Sequence, residues 1–100
     1  MTVGSINSLQ SFTGKYQLNA NQEMPNQDAC LKRDALIGFW STQAKDGGAV
    51  ADQLKNFYTS DAYKKDPNAK LDITLEIADD KDKEFEDSMN AVGQKFDKVA

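Results

Sequence analysis

Residues 71–99 read LDITLEIADDKDKEFEDSMNAVGQKFDKV, and the fold turns on this stretch. Leu71, Ile73, Leu75 and Ile77 alternate with Asp72, Thr74 and Glu76, the period-two pattern of a strand with one apolar and one solvated face. After a burst of acid, Phe85, Met89, Val92, Phe96 and Val99 recur at heptad spacing, which predicts an amphipathic helix over about 83–99. A lone strand leaves half its backbone groups unpaired, so residues 71–77 need a neighbour. That neighbour is either Lys15 to Leu18 or the equivalent strand of another chain.

Upstream, Asp66-Pro67-Asn68 marks a break, because proline disfavours helical backbone at the residue before it. From Asn26, a plausible N-cap, a helix is expected with Cys30, Leu31, Ala35, Leu36, Ile37, Phe39, Trp40 and Ala44 on most of its sides, the mark of a central, buried helix. Asp46-Gly47-Gly48 predicts a left-handed stop. A second helix over 49–59 follows, with Val50, Leu54, Phe57 and Tyr58 on one face, and Ser60 is placed to cap a further short turn.

Residues 1–27 hold two charges, Lys15 and Glu23, among many Ser, Asn and Gln. Val3, Ile6, Leu9 and Phe12 fall at helical spacing, and 15–19 reads as a short strand with Tyr16 and Leu18 on one face. The expected organisation is a polar, loosely held segment over 1–24 and a single domain over 25–100. The fold class is α+β: three main helices on a small antiparallel sheet, with one clear strand at 70–78 and a second at 15–19.

The octapeptide Phe12-Thr13-Gly14-Lys15-Tyr16-Gln17-Leu18-Asn19 is similar to the opening strand of intracellular fatty-acid-binding proteins. A ten-strand barrel cannot be built from the remaining residues, whose one clear strand signal is 71–77, so nothing is carried across. The Ser/Asn/Gln-rich leader also resembles the export signals of some bacterial type III secretion substrates.

With no histidine in the chain, Ser-His-Asp and Cys-His nucleophile systems and imidazole acid/base catalysis are excluded. An EF-hand read from Asp80 fails at its sixth position, Phe85, where glycine is required, and at its twelfth, Ala91. Gly14-Lys15 ends no phosphate loop, since Tyr16 stands where a magnesium-binding Ser or Thr belongs. Cys30 is the single cysteine; without a partner thiol or an activating histidine it reads as a buried small hydrophobe in a reducing compartment. No signal-peptide pattern or membrane-length apolar run is present. A non-catalytic, soluble protein without metal or cofactor is expected, cytoplasmic or exported by a signal-peptide-independent route.

The formal net charge is −4. Residues 1–50 carry four acids and four bases, residues 51–100 twelve acids and eight bases, so the acidity belongs to one half. Asp79, Asp80, Asp82, Glu84, Glu86 and Asp87 lie at the expected start of the last helix, where acids complement the unpaired N–H groups. Dispersed lysines on an acidic chain argue against nucleic acid.

Two functions follow as expectations. The first is a protein-interaction module that forms a homodimer or binds a protein partner through Leu71, Ile73, Leu75 and Ile77 of the strand and Phe85, Met89, Val92 and Phe96 of the helix. It assumes that these side chains outnumber what so small a chain can cover. The second is a small inhibitor or exported effector docking its acidic face, Asp79 to Asp87, on a basic target.

Overall fold

The computed structural model describes residues 11–99. Strand β1 (Gly14–Asn19) is followed by helices α1 (Gln27–Gln43), α2 (Gly47–Tyr58) and α3 (Asp61–Lys65), strand β2 (Asp72–Ile77), a 3-10 turn over Asp79–Lys81, helix α4 (Asp82–Val92) and strand β3 (Asp97–Lys98). The sheet order is β2-β1-β3, antiparallel throughout. This is the expected α+β class, with a third strand that the sequence pattern did not announce. The helical spacing of Val3, Ile6 and Leu9 lies outside the described residues.

β2 finds its partner within the chain. Its register with β1 runs from Gly14↔Ile77 to Asn19↔Asp72. β1 is thus the middle strand, and the boundary expected after residue 24 falls inside the fold. Alternation sends Tyr16 and Leu18 of β1, with Ile73, Leu75 and Ile77 of β2, onto one buried face. Lys15, Gln17, Asp72 and Thr74 remain exposed on the other. The edge of β2 away from β1 is partly covered, since the Glu76 carbonyl accepts from Lys45 N (3.0 Å) and the Asp72 carbonyl from the Gln53 side chain (3.3 Å).

The helices cover the apolar face with α1 between α2 and α4. Asn26 caps α1 by accepting from Ala29 N at 2.8 Å, and Ser60 caps α3 by accepting from Tyr63 N at 3.2 Å. Trp40, buried on α1, packs edge-on against Phe85 of α4 and donates its indole N–H to Ser88 Oγ at 2.9 Å. A buried indole needs such a partner.

Two expectations about chain direction are corrected. Gly47 and Gly48 do not form a left-handed stop. Gly93 holds the single positive φ among the described residues, and α1 ends in an extended Ala44. Gly47 is needed for closeness instead, because a Cβ there would run into the Ser41 carbonyl oxygen. The last helix stops at Val92, not 99. Gly93 adopts φ 81°, its N–H bonds to the Asn90 carbonyl and that of Gln94 to the Met89 carbonyl (3.1 and 3.0 Å), a Schellman termination. The heptad seam is therefore not helical beyond Val92. Phe96 reaches the core from the segment leading into β3, set edge-on to Tyr16 (5.6 Å) and Phe85 (5.7 Å).

The turn after α4 is pinned from the polar segment. Gln22 donates to the Gly93 carbonyl (2.9 Å) and accepts from Lys95 N (2.7 Å) and Gln94 Nε2 (3.1 Å). Buried Gln94 also donates to the Asn19 carbonyl at 3.0 Å.

The two kinds of glycine predict opposite responses to alanine. Gly93→Ala forces a Cβ into left-handed backbone and should cost about 1–2 kcal/mol. Gly38→Ala, inside α1 with open space where the Cβ would go, should stabilise by about 0.5–1 kcal/mol. Thermal unfolding followed by circular dichroism should show the melting temperature falling for the first and rising for the second.

Candidate functional site

The eight residues expected to form a partner surface are mostly enclosed by their own chain. Leu71, Ile73, Leu75 and Ile77 line the core beneath the helices, and Phe85 and Met89 are fully buried in it. Val92 and Phe96 are half-buried. The expected excess of apolar surface over the last thirty residues is absent, because the pairing of β2 with β1 and the turn at Gly93 fold those side chains inward. Only Val99 stands out of that segment, 54 % exposed.

The six acids divide into two sets. Asp82 and Glu86 point toward the sheet, where the Tyr16 hydroxyl lies 3.0 Å from Asp82 Oδ1 and 2.5 Å from Glu86 Oε2. One hydroxyl carries one proton, so it donates to one carboxylate at a time. Lys98 answers the charge from β3, its Nζ 3.1 Å from Asp82 Oδ2 and 5.5 Å above the centre of the Tyr16 ring. Gly14 makes room for this group, since a Cβ there would overlap Asp82 Oδ1. Asp79 accepts from the hydroxyl (2.6 Å) and N–H (3.3 Å) of Thr13, tying the start of β1 to the end of β2.

Of the outward acids, Asp87 pairs with Lys83 (3.2 Å) and Glu84 with Lys81 (3.9 Å). Asp80 is exposed and also has an interaction partner. The cluster is a folding joint with a lysine-laced outer side rather than an open acidic face. Among the described residues no group of three or more His, Cys, Asp or Glu is arranged to hold a metal ion.

Burial pushes the Tyr16 hydroxyl well above the ordinary tyrosine range, and its two carboxylate neighbours push the same way. The Thr13 hydroxyl holds the Asp79 carboxyl below its usual range, and the hydrogen bond to Asp82 raises Lys98.

The exposed apolar surface lies on α1, which the spacing argument had placed as the most buried helix. It is central, yet its outer side is open. Leu31 is 60 % and Phe39 50 % exposed, and Ala35 lies between them on the same face, since residues four apart on a helix are neighbours. The Phe39 ring lies edge-on to that of Trp40, 5.1 Å between centres. Toward α2, an apolar hollow of about 250 Å³ opens among Ile37, Gly38, Leu54 and Tyr58. The signal for this surface was present in the sequence, because apolar residues on every side of a helix must include a side that faces water when only one layer of helices covers one sheet.

Cys30 is half-buried rather than enclosed, on the wall of a second, polar hollow of about 380 Å³ with Arg33, Asp34, Tyr58 and Tyr63. Among the described residues no helix is long and apolar enough to cross a membrane. Comparison of the chain with protein-family models, with curated proteins and with solved structures gave no match.

The Tyr16 joint makes a prediction about alkaline pH. The folded state keeps the Tyr16 proton above the ordinary value of 10.0, whereas the unfolded chain releases it there. The folded state then binds more protons, so stability falls as pH rises past about 10. Tyr16→Phe removes this contribution. Its stability near neutrality should drop by about 1.5–3 kcal/mol, since a carboxylate loses its donor, and its decline between about pH 9 and 11 should be shallower than that of the unaltered protein. Urea midpoints measured across that range test both parts.

Proposed function

We propose that the protein is a non-catalytic interaction module and that a second copy of the chain covers the outer face of α1. One observation carries the reading: Leu31, Ala35 and Phe39, spaced four apart, form an exposed apolar stripe on the outer side of α1. An isologous contact sets such a stripe against its own copy.

A two-fold axis through Ala35 pairs residue 31 of one copy with residue 39 of the other. It sets each Phe39 ring against Leu31 of the other copy. Ala35 and Gly38 at the crossing have no side chain large enough to hold the helices apart. Asp28 and Lys32 pair with each other one turn apart (3.3 Å), and Asp34 at the apolar hollow pairs with Arg33 (2.9 Å), so the charges beside the contact are answered within the chain.

The patch is small beside the ~1,200–2,000 Å² total of a standard interface, which fits a weak, concentration-dependent dimer. The acidic surface supports docking less well, because its outer carboxylates already have lysine partners.

Light scattering over a dilution series should show a mass that rises above one chain with concentration. Phe39→Lys should return it to one chain at every concentration while the circular dichroism spectrum is kept. A protein that holds the mass of one chain throughout, before any substitution, removes self-association. A dimer that survives Phe39→Lys removes α1 as its surface.

A further inference from the structure

We infer that the polar hollow beside α3 binds a small methylated or quaternary ammonium ion. The hollow, about 380 Å³, lies among the 21–24 turn, the first half of α1, the end of α2 and α3, at the lower end of the ~300–1,000 Å³ range of small-molecule sites. Leu31 is common to this hollow and the outer face of α1, while Tyr58, Tyr63 and Glu23 lie off that face.

Its aromatic corner is prearranged. Tyr58 of α2 and Tyr63 of α3 meet with ring centres 5.0 Å apart and planes at 85°, and Phe57 stands against both at 5.1 and 5.3 Å. The bend between the two helices is locked by Ser60, whose hydroxyl donates to the Phe57 carbonyl (2.6 Å) and accepts from Tyr63 N. Across the opening, Asn21 Nδ2 holds the 67–69 segment by donating to the Pro67 and Ala69 carbonyls (2.9 and 2.7 Å). Tyr58 and Tyr63 both line the hollow, and aromatic rings beside a carboxylate favour a cation bearing methyl groups.

Charge chooses among ligands. Arg33 lines the hollow but is buried and engaged, with Nε and Nη2 donating to Asp34 Oδ1 (3.0 and 2.9 Å) and Nη1 to the Gln22 carbonyl. Its charge is answered by Asp34. Glu23, also on the lining, is exposed and forms no hydrogen bond or ion pair among the described residues. The lining therefore holds two carboxylates against one guanidinium, a net charge of −1. An anion would meet a spent guanidinium and an unanswered carboxylate. A neutral ligand would use the rings and leave Glu23 as it was. An ammonium ion uses both.

The test is a titration of the full chain, followed through amide resonances, with choline chloride at constant ionic strength. A parallel titration uses 3,3-dimethylbutan-1-ol, its uncharged carbon isostere. Choline should shift the resonances of residues 21–24, 58 and 63 with a Kd on the order of 1–10 mM, and the isostere should bind at least about fivefold more weakly. Tyr63→Phe, which keeps the ring face, should bind choline within about twofold of the unaltered chain; Tyr63→Leu should weaken it roughly tenfold. Glu23→Gln, at an exposed position that cannot disturb the fold, should weaken it about threefold and keeps the idea testable if Tyr63→Leu fails to fold.

Sedimentation with phosphatidylcholine vesicles separates the sources of the group. Retention by vesicles that Glu23→Gln weakens assigns a lipid headgroup, and choline binding without retention assigns a free ion. Equal affinity for choline and the alcohol overturns the cation, and unshifted resonances at about 50 mM choline overturn the site.

Discussion

Tyr16 joins the parts of this fold that no local sequence preference would bring together. Its backbone pairs with Leu75 on one side and Lys98 on the other, in the middle of the sheet. Its ring lies against Phe85 at 4.5 Å and Phe96 at 5.6 Å, and its hydroxyl ends between Asp82 and Glu86 of α4. A tyrosine does this where a phenylalanine could not, because the ring supplies apolar area while the hydroxyl gives two partly buried carboxylates a donor. Gly14 two residues earlier and Lys98 on the neighbouring strand complete the fit, one by leaving space and the other by supplying charge. Acids that look like a docking face in the sequence are therefore divided between this joint and an ordinary helix surface.

With the core closed in this way, the surface left for partners is whatever the single helical layer cannot turn inward. α1 must cover the sheet and touch α2 and α4 on its two flanks, which occupies three of its sides; the fourth faces water and still carries Leu31, Ala35 and Phe39. A helix meant only for covering would carry polar residues there. The apolar outer side therefore does not follow from the fold, and it is the feature from which a binding role is argued.

The sequence disclosed elements better than their use. Alternation over 71–77, the caps Asn26 and Ser60 and the break at Pro67 are local signals, and each appears where its pattern placed it. The strand 15–19 was visible only as Tyr16 and Leu18 two apart, too short a pattern to reveal that it is central. β3, two residues long, has no pattern of its own and exists because Val99 N reaches the Lys15 carbonyl at 2.8 Å. The helix extended in error to 99 shows how a heptad can mislead: Phe96 sits at a seam spacing but reaches the same core after a left-handed turn, and Gly93 inside the pattern was the contrary signal. The partner surface was misplaced for a related reason. Apolar periodicity says that a face is hidden, not whether its own chain hides it, and that depends on the register of β1 with β2. The aromatic corner at Tyr58 and Tyr63 comes from two helices and a bend between them, which no linear spacing displays.

The position of β1 in the sheet has a bearing on how the chain assembles. Its nearest register partner in sequence, Asp72 opposite Asn19, is fifty-three residues away, and its other neighbour begins at Asp97. Closing such loops is entropically expensive before the contacts form, so the α1–α2 hairpin, which is local, is placed to form first and the sheet to zip afterward. During synthesis the middle strand precedes both its partners, so one edge waits for residues 72–77 and the other for 97–98. During that interval the segment around Tyr16 is an adhesive ribbon, and the polar residues Lys15, Gln17 and Asn19 that alternate with its apolar ones give it a means of staying single while it waits.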